Sequence, residues 1–214
     1  MEQVFFINPV AGKRDASAEL VPQIQAAARQ LQLPQPQIVV TQYAGQAREA
    51  ARQYAASGTP AALYACGGDG TLNELVQGAA GSANVAVGCV PCGSGNDYVR
   101  NFGVAGQAPF LDFAAQLQAQ PCRVDLLQTS LGIGIDICAA GLDAQVAYGI
   151  PKFRRLPGCG GTAAYTLSIL QAMLSRFGHK LRVAIDGKEY TGTYMMAAIC
   201  NGGYYGGGHS GAAS

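Results

Sequence analysis

The 214-residue sequence is poor in charge of either sign. Charged residues make up 13% of the chain and apolar residues 49%, and this composition excludes wholesale disorder. The 14 Lys and Arg residues nearly balance the 13 Asp and Glu residues, which leaves a net charge of +1. Because proteins that bind nucleic acid carry a basic stripe or patch, we expect no nucleic-acid partner.

Long apolar runs are also missing. The first apolar run, Val4–Ile7, stops at Asn8 and Pro9, and it lacks the basic start and the length of a signal peptide. No run reaches the roughly 18 uncharged apolar residues that a membrane-spanning helix needs. We therefore expect a cytoplasmic protein without a transmembrane segment.

Histidine is scarce, and cysteine is scattered. The chain has two histidines and seven cysteines, an odd number that falls mostly inside apolar runs. A secreted disulfide framework would be denser in a shorter chain. Cys89 and Cys92 form a CxxC pair, but no second pair follows. The pattern favours small buried thiols in a reducing compartment over a metal or redox site.

Glycine, by contrast, is abundant, with 29 residues that cluster where apolar runs end. In the first half of the chain, short strand-like runs alternate with helix-like segments, as is typical of a parallel sheet covered on both faces. Such sheets bind ligands at the carboxyl ends of their strands. We predict strands at Val4–Asn8, Ile38–Thr41, Ala61–Cys66 and Val85–Val90, with helices at Gln46–Ala56 and Thr71–Gly78.

The pattern changes near Cys122, where strand-like segments become more frequent. Asp186 and Gly187 form a strong hairpin signal. We therefore predict an α/β domain over residues 1–121 and an antiparallel, strand-rich domain over residues 122–214. Within the second domain we predict strands at Arg123–Thr129, Ile133–Ala140, Lys180–Ile185 and Tyr190–Cys200, and a helix at Thr162–Phe177.

A glycine-rich turn, residues 67–71, leaves the third predicted strand and enters a helix. Such a turn presents bare backbone N–H groups, and the helix N-terminus adds partial positive charge, which together suit phosphate. Asp69 within this turn can orient a metal ion or accept a hydroxyl proton. The same residues also fit an ordinary tight turn in which Asp69 bonds its own backbone.

Two more polar turns follow predicted strands. In the segment 91–97, Ser94 offers a hydroxyl, while Asn96 and Asp97 suit helix capping as well as catalysis. In the segment 8–13, Lys13 either neutralises phosphate charge or is simply solvated.

In this order, the segments resemble the diacylglycerol kinase catalytic domain family. That family includes bacterial lipid kinases and the sphingosine and ceramide kinases, and is more distantly similar to NAD kinases. The resemblance rests on NPVAGK at 8–13, Thr41, GGDGTLNELVQG at 67–78 and VPCGSGNDYVRNFG at 90–103, with weaker support from RVDL at 123–126, GLDAQV at 141–146 and CNGGYYGGG at 200–208.

The resemblance implies a nucleotide-binding α/β domain followed by a partial antiparallel β-sandwich. It also implies an ATP- and Mg²⁺-dependent kinase that phosphorylates a lipid hydroxyl such as that of diacylglycerol. Asp69 matches the family's catalytic acidic residue and would hold the metal, whereas Glu74 fits first-turn helix charge equally well. The implied ATP-binding residues are Asn8, Gly12, Lys13, Thr41, Gly67, Gly68, Asp69, Gly70, Thr71, Asn73, Glu74, Gly93, Ser94, Gly95 and Asn96.

The chain departs from the family at its C-terminal end. Family members continue into further acidic motifs, so the resemblance implies that the family's other metal-binding residues lie beyond Ser214, the last residue of this sequence. We therefore expect either a fragment or a truncated homologue. The alternatives to lipid phosphorylation are a catalytically impaired nucleotide- or lipid-binding module and, less favoured by the motifs, NAD phosphorylation.

Two expectations about partners follow. Open sandwich edges suggest a homodimer. A lipid substrate implies peripheral membrane contact, and the basic-aromatic stretch 152–156 is either a headgroup contact or a solvated loop.

Overall fold

The computed structural model describes residues 1–12, 14–154, 166–171, 178–205 and 209–210. They form two compact units. The first contains Met1–Asp136 and the described residues that follow Cys200, and the second contains Ile137–Cys200. The domain boundary near residue 122 stays a prediction.

A parallel sheet with helices between its strands forms the centre of the first unit. The elements are β1 (Glu2–Ile7), α1 (Ser17–Gln30), β2 (Gln37–Val40), α2 (Gln46–Ser57), β3 (Ala61–Gly67), α3 (Asp69–Ala79) and β4 (Val85–Pro91). The four strands have the order β2-β1-β3-β4, and every neighbouring pair is parallel. This confirms the predicted parallel sheet, and the predicted strand and helix bounds differ from the observed ones by one or two residues.

Both faces of this sheet are covered, because all seven residues of β3 are buried. Side chains on one face, including Phe6 and Leu63, pack with residues of α2 and α3. Those on the other face, including Phe5 and Tyr64, pack with α1 and the segment around Phe113. The Phe5 and Tyr64 rings stack with centroids 4.3 Å apart. The continuous apolar run in β3 follows from this double burial.

Short helices and strand pairs complete the first unit. The elements are α4 (Asp97–Arg100), α5 (Gly103–Leu111), α6 (Phe113–Gln118), β5 (Leu127–Thr129), β6 (Gly132–Gly134), β11 (Tyr204–Tyr205) and β12 (His209–Ser210). β5 pairs antiparallel with β6, and β11 pairs with β12. The predicted strand over residues 123–129 was too long, since only its last three residues are in a strand.

The second unit confirms the predicted antiparallel character. Its elements are β7 (Ile137–Gly141), α7 (Leu142–Arg154), β8 (His179–Ile185), β9 (Lys188–Tyr194) and β10 (Met196–Cys200). β8 and β9 form a hairpin whose turn residues, Asp186 and Gly187, have φ of 48° and 79°. β10 pairs antiparallel with β7. Residues 166–171 of the predicted helix 162–177 are helical, and its other residues lie outside the described part.

Two predicted strands of the C-terminal half are interrupted in the structure. The strand predicted over 133–140 ends at Gly134 and resumes at Ile137, so Ile135 and Asp136 form a bend between β6 and β7. The strand predicted over 190–200 is broken at Met195. No helix among the described residues is long and apolar enough to cross a bilayer.

Candidate phosphate-binding site

Three loops follow the neighbouring strands β1, β3 and β4. The parallel register aligns Ile7 with Cys66, and Cys66 with Val90. The loops that begin at Asn8, Gly68 and Cys92 therefore leave the sheet at the same edge. Since the carboxyl ends of parallel strands are where such sheets bind ligands, this edge is the candidate site.

Because these loops contain glycines, their backbones lie in direct contact. The Cys92 amide donates to the Gly67 carbonyl at 2.8 Å. A Cβ added at Gly68 would lie 3.2 Å from the Gly93 Cα, which is tighter than ordinary contacts. Gly12 has φ of 73°, a left-handed conformation, and faces the Cys92 carbonyl. Larger residues at these positions would force the loops apart.

Asn8 connects the β1 loop to the β3 loop. Its side-chain Nδ2 donates to the Thr71 hydroxyl at 3.0 Å, and Thr71 itself is buried. The Asn8 Oδ1 accepts the Val10 amide at 3.1 Å. Asn8 thus uses both ends of its side chain to fix the first loop, which accounts for an asparagine at this position.

Asp69 is the first residue of α3 and is half-buried. Its Oδ1 accepts the backbone N–H of Tyr98 at 3.2 Å. Its Oδ2 lies beside Gly95, where an added Cβ would be 3.1 Å away. The structure therefore differs from the alternative in which Asp69 bonds its own turn. The partner of its Oδ1, the Tyr98 amide, lies 29 residues further along the chain.

Asn96 occupies the N-cap position of α4, but its side chain makes no capping bond. Its Oδ1 accepts the Gly93 amide, and its Nδ2 donates to the Gly93 carbonyl, both at 2.9 Å. Asn96 has φ of 54°, a left-handed conformation that asparagine tolerates better than most residues. Its observed role is to close the turn that presents the exposed Ser94.

The side chains of Thr41 and Glu74 form hydrogen bonds with backbone groups of the protein. The Thr41 hydroxyl donates to the Ile7 carbonyl at 3.3 Å. Glu74 Oε1 accepts the amide of Gly45, at the start of α2, at 2.9 Å. Asn73 is half-buried on α3, and Lys13 lies outside the described residues. The nucleotide-binding roles of these four residues stay predictions, as do those of all the other residues that the resemblance named.

Sequence reasoning did not single out Asp136, a carboxylate that interacts electrostatically with Asp69. Asp136, at the bend between β6 and β7, is half-buried. Burial, opposed by a hydrogen bond from Asn101 and assisted by the charges of Asp69 and Asp97, raises the pKa of Asp136 to about 6. The signal was present in the sequence, since Asp136 is a lone carboxylate in the apolar run 133–140.

The cysteines divide by burial. Cys66 and Cys89 are buried, and burial raises the pKa of both thiols. Cys92 is half-buried, whereas Cys122 and Cys200 are exposed. The prediction of small buried thiols for the CxxC pair is therefore confirmed at Cys89, whereas Cys92 is only half-buried.

Asp69 is the metal ligand that the sequence analysis named. Within the described ranges, no three His, Cys, Asp or Glu side chains are grouped closely enough to hold a metal ion. The structure thus adds no further ligands around Asp69 from these ranges. Ser214, beyond which the family's other metal-binding residues were placed, lies outside the described residues. Both that placement and the metal-binding role of Asp69 therefore stay predictions.

Family models match most of the chain. Residues 2–129 match the diacylglycerol kinase catalytic domain, and residues 136–213 match the YegS C-terminal NAD kinase beta sandwich-like domain. The chain is 28% identical over 138 residues to the "Diacylglycerol kinase" of Bacillus subtilis (strain 168), covering 64% of this chain and 45% of that protein. It is 30% identical over 173 residues to the "Probable lipid kinase YegS-like" of Chromohalobacter salexigens, covering 79% and 54%.

The chain thus spans about half the length of the curated relatives it matches. Its fold is similar to the crystal structure of a diacylglycerol kinase from Bacillus anthracis str. Sterne, with a TM-score of 0.65 at 24% identity, covering 98% of this chain and 67% of that one. The solved structure supports the fold, and the match over residues 2–129 covers more than half of the sequence. On that match, the chain belongs to the diacylglycerol kinase catalytic domain family.

Proposed function

We propose that this chain forms the nucleotide-binding part of an ATP-dependent lipid kinase, which transfers the γ-phosphoryl group of ATP to the hydroxyl of a diacylglycerol-like lipid. The convergence of three glycine-containing loops around Asp69 carries the proposal. Phosphoryl transfer depends mainly on positioning and on neutralising charge. The loops supply the positioning, because backbone contacts between Gly67, Gly93 and their neighbours fix the spacing of the loops.

The residues present fit ATP with Mg²⁺. The first N–H groups of the eleven-residue helix α3, at Asp69 and Gly70, have no acceptor within the helix and lie at the positive end of its dipole. They suit the phosphates. Mg²⁺ binds through one or two carboxylates together with phosphate oxygens and water, so Asp69 would hold it. When bound, the metal would neutralise phosphate charge.

The acceptor is proposed from the family, since relatives in it are named as lipid kinases. Peripheral membrane contact and a homodimer stay predictions. In the stretch 152–156, Lys152 is exposed, and Arg155 and Leu156 lie outside the described residues.

The test is transfer of labelled phosphate from ATP to acceptors in phosphatidylcholine vesicles, with ATP binding measured by calorimetry. We expect diacylglycerol vesicles to be labelled, and Asp69→Asn to lower the rate at least about 100-fold while ATP still binds. Asp186→Asn makes the same chemical change in the hairpin turn, where asparagine is equally accepted, and should leave the rate unchanged.

Three other outcomes are informative. ATP binding without transfer to diacylglycerol, a long-chain base or ceramide would support a non-catalytic binding module. Faster phosphorylation of NAD than of any lipid would support the NAD kinase alternative. A normal rate in Asp69→Asn would remove Asp69 from the reaction.

A further inference from the structure

Asn101, at the end of α4, joins three segments of the first unit. Its Nδ2 donates to the Tyr98 carbonyl at 3.1 Å and to Asp136 Oδ1 at 3.3 Å. Its Oδ1 accepts the Gly203 amide at 2.6 Å, although 102 residues separate the two in the sequence. One side chain therefore connects α4, the bend between β6 and β7, and the segment that follows β10.

The segment 201–203 packs closely against Asn101 and Asp136. The Asn201 amide donates to the Asp136 carbonyl at 2.7 Å, and its Nδ2 donates to the Ile135 carbonyl at 2.9 Å. At Gly202, an added Cβ would overlap the Asp136 carboxylate and lie 2.6 Å from the Asn101 Nδ2. A glycine at 202 is thus required for Asn101 and Asp136 to meet.

The same turn holds the candidate catalytic carboxylate. Tyr98, whose amide donates to Asp69 at 3.2 Å, lies three residues before Asn101. Because both the backbone amide and the Nδ2 of Asn101 donate to the Tyr98 carbonyl, we expect a shift of Asn101 to move Tyr98 with it. Three hydrogen bonds therefore link Asp136 to Asp69. Asn101 donates to Asp136 and to the Tyr98 carbonyl, and the Tyr98 amide donates to Asp69.

We propose that Asp136 is a positioning residue for the candidate phosphoryl-transfer site, acting through Asn101 and the α4 turn on the orientation of the Asp69 carboxylate. This inference rests on the proposed function. Asp136 itself makes no described contact with Asp69, and the proposal gives it no part in the chemistry.

The charges around Asp136 make this positioning sensitive to pH. Burial, assisted by the charges of Asp69 and Asp97, raises the pKa of Asp136 to about 6. Arg100 lies 3.6 Å from Asp97, and burial, assisted by charges that include that of Asp136, raises the pKa of the Tyr98 phenol. An ionised carboxylate accepts a stronger hydrogen bond than a neutral one. The bond from Asn101 therefore strengthens as the pH rises through about 6.

Two substitutions separate the hydrogen bond from the charge. Asp136→Asn keeps an oxygen that can accept from Asn101 but cannot ionise, whereas Asp136→Ala removes the acceptor. The first readout is the backbone amide signals of Tyr98 and Gly203 in a nuclear magnetic resonance pH titration without substrate. The second is the pH profile of kcat and of KM for ATP. Asp186→Asn is the matched control.

In the unaltered protein we expect both amide signals to shift with a midpoint near pH 6. Asp136→Asn should remove this midpoint and the corresponding step in kcat, and should hold kcat at the level that the unaltered protein has below pH 6. Asp136→Ala should displace the Tyr98 signal and lower kcat about tenfold at a KM within twofold. Asn101→Ala should do the same, and it keeps the test decisive if Asp136→Ala does not fold.

The proposal is overturned if Asp136→Ala and Asn101→Ala leave the Tyr98 amide signal and kcat unchanged, or if activity falls only in proportion to the folded fraction. If the unaltered protein transfers no phosphate, the proposed function fails. The amide titration then still decides whether Asp136 and Asn101 control the α4 turn.

Discussion

The carboxylate of Asp69 accepts the backbone amide of Tyr98 at 3.2 Å. This bond joins the first turn of α3 to the first turn of α4, so the loops after β3 and β4 are fixed to each other by the residue that we propose acts in phosphoryl transfer. The carboxylate thus has a structural partner on one oxygen, and its Oδ2 lies beside Gly95.

Substitutions of Asp69 should separate its structural role from its chemical one. Asp69→Ala removes the acceptor of the Tyr98 amide and should lower the free energy of unfolding by about 1–2 kcal/mol. Asp69→Asn keeps an acceptor oxygen and should cost less than that. Urea denaturation followed by circular dichroism measures both. Equal losses for the two variants would mean that the hydrogen bond contributes little.

Gly70 and Gly78 provide a matched pair within α3. An added Cβ at Gly70 meets no atom within 4 Å, so Gly70→Ala should stabilise the protein by up to about 1 kcal/mol. If phosphates approach this first turn, the methyl group should weaken ATP binding at the same time. Calorimetric titration with ATP, together with thermal unfolding, tests both expectations.

Gly78→Ala should behave in the opposite way. Its Cβ would lie 2.6 Å from the Ala51 Cβ on the neighbouring helix α2. Overpacking of this kind costs about 1–3 kcal/mol, while ATP binding by the folded protein should be unaltered. Tight ATP binding by Gly70→Ala would argue against phosphates at the start of α3.

Thiol reactivity should follow burial. At pH 8 we expect iodoacetamide to modify Cys122 and Cys200 within minutes and to leave Cys66 and Cys89 unmodified in the folded protein, because burial both shields these two thiols and raises their pKa. Peptide mass spectrometry, with a urea-unfolded sample as the control, measures the labelling. Rapid labelling of Cys66 would contradict the buried edge of β3.

The stability of the protein should depend on Asp136 and pH. The pKa of Asp136 is raised above its ordinary value of 3.8 to about 6, so its contribution to stability is complete below about pH 4 and is lost as the pH rises through about 6. Asp136→Asn avoids that loss. Relative to the unaltered protein, the variant should gain about 1 kcal/mol between pH 4.5 and pH 7.5, a figure reduced for solvent screening of a half-exposed group.

Chemical denaturation at the two pH values measures this gain, with Asp186→Asn as the control. A gain of the same size in the control would assign the effect to net charge. A constant difference between Asp136→Asn and the unaltered protein would mean that Asp136 titrates alike in the folded and unfolded states.

Much of the first unit was predictable because its signals are local. Strands buried on both faces are continuous apolar runs, as β3 illustrates, and the helices between them follow from apolar periodicity. The bend at Asp136 was missed because the local pattern is ambiguous there. An apolar run of eight residues fits one strand or two short ones, and the pattern cannot distinguish them. Only the structure shows that one strand ends before Asp136 and the next begins after it.

The sequence by itself determined the parallel sheet, the edge at which its glycine loops lie, and the candidate role of Asp69, since these depend on neighbouring residues and on motif order. The tertiary structure alone decided what each polar side chain bonds: Asp69 with the Tyr98 amide, and Asn101 with Gly203. These bonds span 29 and 102 residues. Such pairings depend on how the packed core brings distant segments of the chain together, and local periodicity in the sequence does not encode this arrangement.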